Sequence, residues 1–408
     1  MAAGRGRSDK GTDAPGAIAI VGGCGHVGLP LGLVFADAGH AVMLYDRDVA
    51  AVEQVRSGIM PFHEDGASDL LARVLASGAL SASTDPGSVS SAEHVVVVIG
   101  TPVDEYMNPK PEFVLTAVEG LLAHLRDGQH LILRSTVYPG VTAMIERLIA
   151  GSGLAIDVSF CPERIAEGRA LVELRELPQI VSGRTEAAVK RADALFAGIA
   201  KSIVRLDVEE AELAKLFTNT WRYVKFAAAN QLYMIANDFG LDFSRIRDAI
   251  TFDYPRAADL PGAGLAAGPC LLKDTMQLAA FNKNNFTLGH ASMMINEGLP
   301  MYVVDRLERE YDLASMTVGI LGTSFKAESD DIRSSLSYKL KRLLRIKAAK
   351  LLCTDPYVTV DPDLVPLDEV LTTSDLLVIA TPHKIYADIE VEVPVVDIWN
   401  LRGFGDRV

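Results

Sequence analysis

The chain has 408 residues, 49% of them hydrophobic and 23% charged, with 33 glycines and a formal net charge of -14. Single cores stop growing at about 250 to 300 residues, so several are expected. The acidic balance argues against a nucleic-acid partner, which needs a basic footprint, but it leaves room for local cations and helix N-termini to hold a small phosphorylated ligand. No uninterrupted apolar run approaches the roughly 20 residues that span a bilayer, so no membrane partner is expected either.

Residues 1–16 are small, polar and weakly basic without an apolar h-region, and read as a disordered tail rather than a signal peptide. A cytoplasmic location follows as an expectation. The four cysteines, Cys24, Cys161, Cys270 and Cys353, form no CxxC pair, so neither a disulfide framework nor a metal site is expected. A short apolar run at 17–21 leads through glycines into a helix-like stretch at 27–38, and further apolar runs at 41–45, 94–99 and 130–134 alternate with amphipathic segments. That alternation predicts a parallel sheet with crossover helices over residues 17–208. Residues 209–238 lack proline and glycine and predict one long helix linking two domains. Its aromatics, Trp221, Tyr223, Phe226, Tyr233 and the following Phe239, suit a subunit interface or an intrachain core. After a glycine-rich loop at 261–270, strand-like runs at 317–321, 350–354, 376–380 and 395–398 predict a second α/β unit. The expected fold is therefore α/β: two Rossmann-like doubly wound domains (17–208 and 303–408) joined by a long central helix and a helical dimerisation region (209–302).

Directly after the first predicted strand stands Gly23-Cys24-Gly25-His26-Val27-Gly28. A GxGxxG between strand and helix gives a tight turn, close approach to a pyrophosphate and close helix-on-strand packing. Asp46, ending the second strand, would accept the ribose hydroxyls and repel a 2′-phosphate, so the cofactor is NAD, a preference that the neighbouring Arg47 weakens slightly. Thr101 and Thr136 follow the third and fourth runs, where such a sheet presents its ligands.

Other polar residues recur at predicted strand ends and on the long helix. Glu163 and Arg164 follow a further short apolar run; Lys215 and Asn219, four apart, share a helix face. Cys270 is followed by Lys273 and Asp274. Taken alone, such a cysteine is more often a small buried hydrophobe than a nucleophile. The order of motifs, however, resembles the UDP-glucose, GDP-mannose and UDP-N-acetylhexosamine dehydrogenase family from residue 17 to about 402. The segments that carry the resemblance are the GxGxxG, Gly-Thr-Pro at 100–102, Ser-Thr-Val at 135–137, Pro-Glu-Arg at 162–164, Lys215 with Asn219, Gly-Pro-Cys at 268–270 with Lys273-Asp274, and Gly-Thr-Ser-Phe-Lys at 322–326 running on to Asp-Ile-Arg at 331–333.

The resemblance implies an NAD-dependent four-electron oxidation of the C6 alcohol of a nucleotide sugar. Cys270 would be the nucleophile, Lys215 and Asn219 the oxyanion donors, Thr136 and Asp274 the holders of an ordered water, and Glu163 the base for thioester hydrolysis. It further implies that Arg164, Gly264, Lys326 and Arg333 contact the substrate, and that Arg256 reaches the neighbouring site of a homodimer. Two features depart from the pattern. The cysteine loop reads Cys-Leu-Leu-Lys-Asp, which keeps the lysine typical of UDP-glucose enzymes but not their Phe-Pro, whereas residues 161–169 look more like the N-acetylhexosamine branch; and Asp-Ile-Trp-Asn at 397–400 replaces an Asp-x-Arg. UDP-glucose is slightly favoured over UDP-N-acetylglucosamine, UDP-N-acetylmannosamine or a dTDP-sugar. A two-electron β-hydroxyacid dehydrogenase, which needs no cysteine, and a non-catalytic sugar-nucleotide binder are the competing classes.

Overall fold

The computed structural model describes residues 16–104, 108–266, 268 and 270–408. The tail expected over residues 1–16 lies, but for Gly16, outside the described residues. Strands β1 (Ile18–Val21), β2 (Val42–Tyr45), β3 (Leu80–Ser83), β4 (His94–Val97), β5 (His130–Leu133), β6 (Asp157–Phe160), β7 (Gln179–Gly183) and β8 (Ile203–Arg205) form one sheet in the order β3-β2-β1-β4-β5-β6-β7-β8. A second sheet contains β9 (Thr317–Leu321), β10 (Lys350–Thr354), β11 (Leu376–Ile379) and β12 (Val395–Asp397) in the order β10-β9-β11-β12. In the first sheet β1 separates β2 from β4, and in the second β9 separates β10 from β11. Each chain order thus reverses beside its first strand, the switch point at which such sheets bind ligands.

Residue chemistry explains these strands. β1, β4, β5 and β11 are buried at every position, as near-continuous apolar strands covered on both faces must be. The large sheet is not wholly parallel as expected: β7 runs antiparallel to β6.

The long helix spans Val208–Asp238, 31 residues and about 46 Å. Glu210 Oε2 accepts from Asp207 N at 3.0 Å, closing the helix start. The helices Leu271–Phe281 and Thr287–Glu310 pack along it. Tyr233 and Ala229 share one core with Leu299, Val303 and the β9 residues Val318 and Ile320, so the long helix and the helix Thr287–Glu310 cover one face of the second sheet. The aromatics of the long helix divide: Tyr223 and Tyr233 are core, whereas Trp221 and the following Phe239 are exposed. Among the described residues no helix is long and apolar enough to cross a membrane.

Candidate active site

The three glycines of the first loop sit in different surroundings. A Cβ at Gly23 would meet Leu44 Cβ at 2.8 Å, and one at Gly28 would meet the Gly22 carbonyl oxygen at 2.3 Å. Gly25 is exposed, and its nearest neighbour would be Gly22 O at 3.8 Å. The outer glycines thus let the chain pack on itself, and the middle one leaves a bare surface that a ligand can approach. Val27 precedes the helix Gly28–Asp37 without a capping side chain; Leu29 N already donates to Gly25 O at 3.0 Å and Pro30 has no N–H, so Gly28 supplies the leading N–H for an anion. Asp46, just past β2, accepts from Cys24 N at 3.0 Å through Oδ2 and from Asp48 N at 3.1 Å through Oδ1, which fixes its carboxylate beside the loop; Arg47 is exposed. His26 stacks on Phe62 at 4.1 Å, and burial, with Arg333 nearby, depresses its pKa. These residues fit the adenosine and pyrophosphate of NAD.

Cys270 sits at the start of the helix Leu271–Phe281 and is exposed, unlike the other three cysteines. Its immediate surroundings are crowded: burial and the Asp274 carboxylate push the thiol pKa up, while Lys273 and Lys215 pull it down. Asp274 is wholly buried and accepts from Asn219 Nδ2 at 2.6 Å. Lys273 Nζ lies 3.4 Å from the other Asp274 oxygen and donates to Thr101 Oγ1 at 3.2 Å. Lys215 and Asn219 are both buried on one face of the long helix. The structure therefore brings together Cys270, Lys215, Asn219, Asp274 and Thr101. Thr136 lies half-buried just past β5.

Glu163 is elsewhere engaged. Its Oε2 accepts from Arg134 Nη2 at 2.5 Å and its Oε1 from Ile165 N. Arg134, itself buried, also donates to Cys161 O and Gln179 Oε1. Arg164 donates to Pro178 O. The carboxylate that the sequence reading overlooked is Glu167, four residues after Glu163, which lies within electrostatic reach of Cys270. Burial, with Asp331 beside it, raises its pKa to about 7 against the opposing pull of Arg333 and Lys326. The available signal was the second acid in Pro-Glu-Arg-Ile-Ala-Glu-Gly.

Glu167 also joins the two α/β units. Lys326 Nζ donates to its carbonyl, and Arg333 Nη2 lies 3.3 Å from its carboxylate while gripping Asp331 at 2.6 Å. The two cations expected near a diphosphate thus converge on one acidic residue of the first domain. Gly264 has both backbone groups bonded to Asn230 and lies against Trp399, so that a Cβ there would meet the indole ring at 2.2 Å. Trp399, in the place of the missing arginine, is half-buried against the core and donates to Ala380 O at 3.1 Å. Gly268, at φ +111°, lies against Phe325 in the same way. Arg256 stands apart from this group, exposed and stacked on Tyr254 at 5.1 Å.

The chain matches the models of three domains of the UDP-glucose/GDP-mannose dehydrogenase family: the NAD binding domain over residues 17–201, the central domain over 209–297 and the UDP binding domain over 319–401. It is 28% identical to the UDP-N-acetyl-D-mannosamine dehydrogenase of Pyrococcus horikoshii over 92% of this chain and 91% of the relative. It is 29% identical to the UDP-glucose 6-dehydrogenase AglM of Haloferax volcanii over 91% and 92%. Among solved structures it resembles a UDP-glucose dehydrogenase from Pyrobaculum islandicum with a TM-score of 0.88 at 26% identity, covering 96% of each chain. The Pyrococcus horikoshii enzyme gives 0.87 at 26%, covering 94% and 96%. The chain belongs to the UDP-glucose/GDP-mannose dehydrogenase family and is an NAD-dependent nucleotide-sugar dehydrogenase.

Proposed function

We propose that this enzyme carries a UDP-sugar from the C6 alcohol to the carboxylate through a covalent intermediate on Cys270. The observation that carries this reading is an exposed cysteine at a helix start, within electrostatic reach of Lys215 and Lys273 and backed by the Asn219–Asp274 pair. NAD supplies the hydride acceptor at each of the two oxidation stages. Lys215 and Asn219 stabilise the oxyanion at C6. Cys270 adds to the aldehyde, which holds it as a thiohemiacetal and leaves a thioester after the second oxidation. Water then releases the uronate and restores the thiol, with Thr136 and Asp274 orienting the water and Glu163 as base. Since Glu163 is paired with Arg134, Glu167 is the second candidate for that proton. Lys326 and Arg333 leave Glu167 to hold the diphosphate, with Arg164 and Gly264 lining the sugar.

For the sugar itself, UDP-N-acetyl-D-mannosamine becomes the first candidate and UDP-glucose the second. Several similar relatives bear the former name, and residues 161–169 look more like the N-acetylhexosamine branch. The enzyme works as a homodimer in the cytoplasm, with residues 17–208, 209–302 and 303–408 as its three parts. The test is to assay NADH released from a panel of UDP- and dTDP-sugars by the wild-type enzyme and by Cys270→Ser. Two NADH per sugar, falling to background in the variant, is expected; turnover undiminished in Cys270→Ser excludes the thioester.

A further inference from the structure

The helix Val141–Ser152 starts after Gly140, which stands at φ +98° and has no side chain to cap it. Such a start is normally satisfied locally by Ser, Thr, Asp or Asn. Here the cap comes from 72 residues away. Glu212 on the long helix, 1% exposed, accepts from Gly140 N at 2.7 Å and from Thr142 N at 2.9 Å. The positive end of the capped helix favours a carboxylate at this spot.

Glu212, Lys215 and Asn219 follow at intervals of three and four residues and so share one face of the long helix. That face grips the 134–140 loop through Glu212 and the helix of Cys270 through Asn219 and Asp274. The same loop touches the far end of the Cys270 helix, where Tyr138 meets Phe281 edge-on at 5.7 Å. Val137 is buried in the cluster that contains Ala211. Loop, long helix and Cys270 helix are thus tied pairwise. Thr136 lies in the loop between its two anchors, Arg134 and Gly140.

We propose that Glu212 is a positioning residue, which holds the Thr136 loop in register with Lys215 and Asn219 so that release of the product from Cys270 is fast. The step named rests on the thioester reading above. A glutamine in its place keeps the volume but offers one acceptor oxygen and turns an NH2 toward the other backbone N–H. One bond is lost and the loop loosens without a cavity.

The test compares wild type, Glu212→Gln and Glu212→Asp as full-length enzyme with NAD and the UDP-sugar that turns over. In Glu212→Gln kcat is expected to fall about tenfold while KM for NAD stays within about twofold. A sugar adduct on Cys270 is expected to accumulate in the steady state, seen by intact-protein mass. Glu212→Asp keeps the charge and recovers part of kcat. Wild-type kcat in folded Glu212→Gln overturns the proposal, as does a loss that merely follows thermal inactivation and vanishes on cooling. If Glu212→Gln does not fold, Glu212→Asp decides: lower kcat at unchanged KM supports the proposal and wild-type kcat overturns it. If the wild type releases one NADH per sugar, the thioester reading fails by itself, and the role of Glu212 is judged by kcat against KM alone.

Discussion

The cofactor loop separates two functions of glycine that a motif merges. Gly28→Ala places a methyl against the Gly22 carbonyl, an immovable neighbour, and should destabilise the fold by roughly 1–3 kcal/mol. Gly25→Ala meets only ordinary contacts inside the protein, so its melting temperature should stay close to that of the wild type. It should nevertheless raise KM for NAD at least about tenfold, because the methyl stands where the pyrophosphate must approach. Calorimetry alongside NAD titration distinguishes the two, and an unchanged KM in Gly25→Ala would remove that glycine from the cofactor site. The cysteines separate as sharply. Burial pushes the thiols of Cys24 and Cys161 up to about 12 and that of Cys353 to about 11; burial and Asp274 raise Cys270 as well, but Lys273 and Lys215 pull against that shift, and it alone of the four cysteines is exposed. Iodoacetamide on the native enzyme should therefore label Cys270 first and abolish activity in step, as peptide mass mapping can follow.

Among the elements, β4 and β5 begin with a buried pair, His94 Nδ1 and His130 Nδ1, 3.1 Å apart, with His130 Nε2 2.8 Å from Ser159 Oγ. Burial lowers His94 to about 4, where Glu93 opposes the shift and Arg191 and His40 add to it. Burial lowers His130 to about 3, with His94 and Arg191 adding to it. Both folded values lie below the unfolded one, so the unfolded chain takes up protons first as pH falls. The pair's stability is full above about pH 6.5 and is lost as pH falls toward 4. Between pH 7 and 5 each histidine should account for about 2 kcal/mol, and His130→Gln should flatten that slope in denaturant titrations. The elements that were legible in the sequence share a cause. β9 and β10 were readable residue for residue because they are apolar runs bounded by turns. β3, Leu-Ser-Ala-Ser, and the three-residue β8 carry too little hydrophobic pattern to be seen, and they hold their places by pairing with β2 and β7.

At the scale of the whole molecule, the site was legible where one segment carries its own signal, as in the GxGxxG or Lys215 with Asn219. It was not legible where distant segments meet. Nothing in sequence spacing tells that Arg134 engages Glu163, or that Lys326 and Arg333 converge on Glu167. The same limit would apply between the subunits of the proposed dimer. Trp221, Ile235, Phe239, Leu241 and Phe252 leave large apolar side chains exposed on and beyond the long helix, Phe252 at 84%, and Arg256, four residues after Phe252, is stacked on the exposed Tyr254. The homodimer proposed above would cover these side chains. Sedimentation should find a dimer that Phe239→Asp and Phe252→Asp weaken. Whether Arg256 acts across the interface can be read by mixing two inactive variants, Cys270→Ser and Arg256→Ala, under conditions that exchange subunits. Random pairing makes about half the dimers mixed, and in each of these one site has both an intact cysteine and an intact arginine from opposite chains. Activity should return to about one quarter of the wild-type value, whereas an arginine serving its own subunit's site returns none.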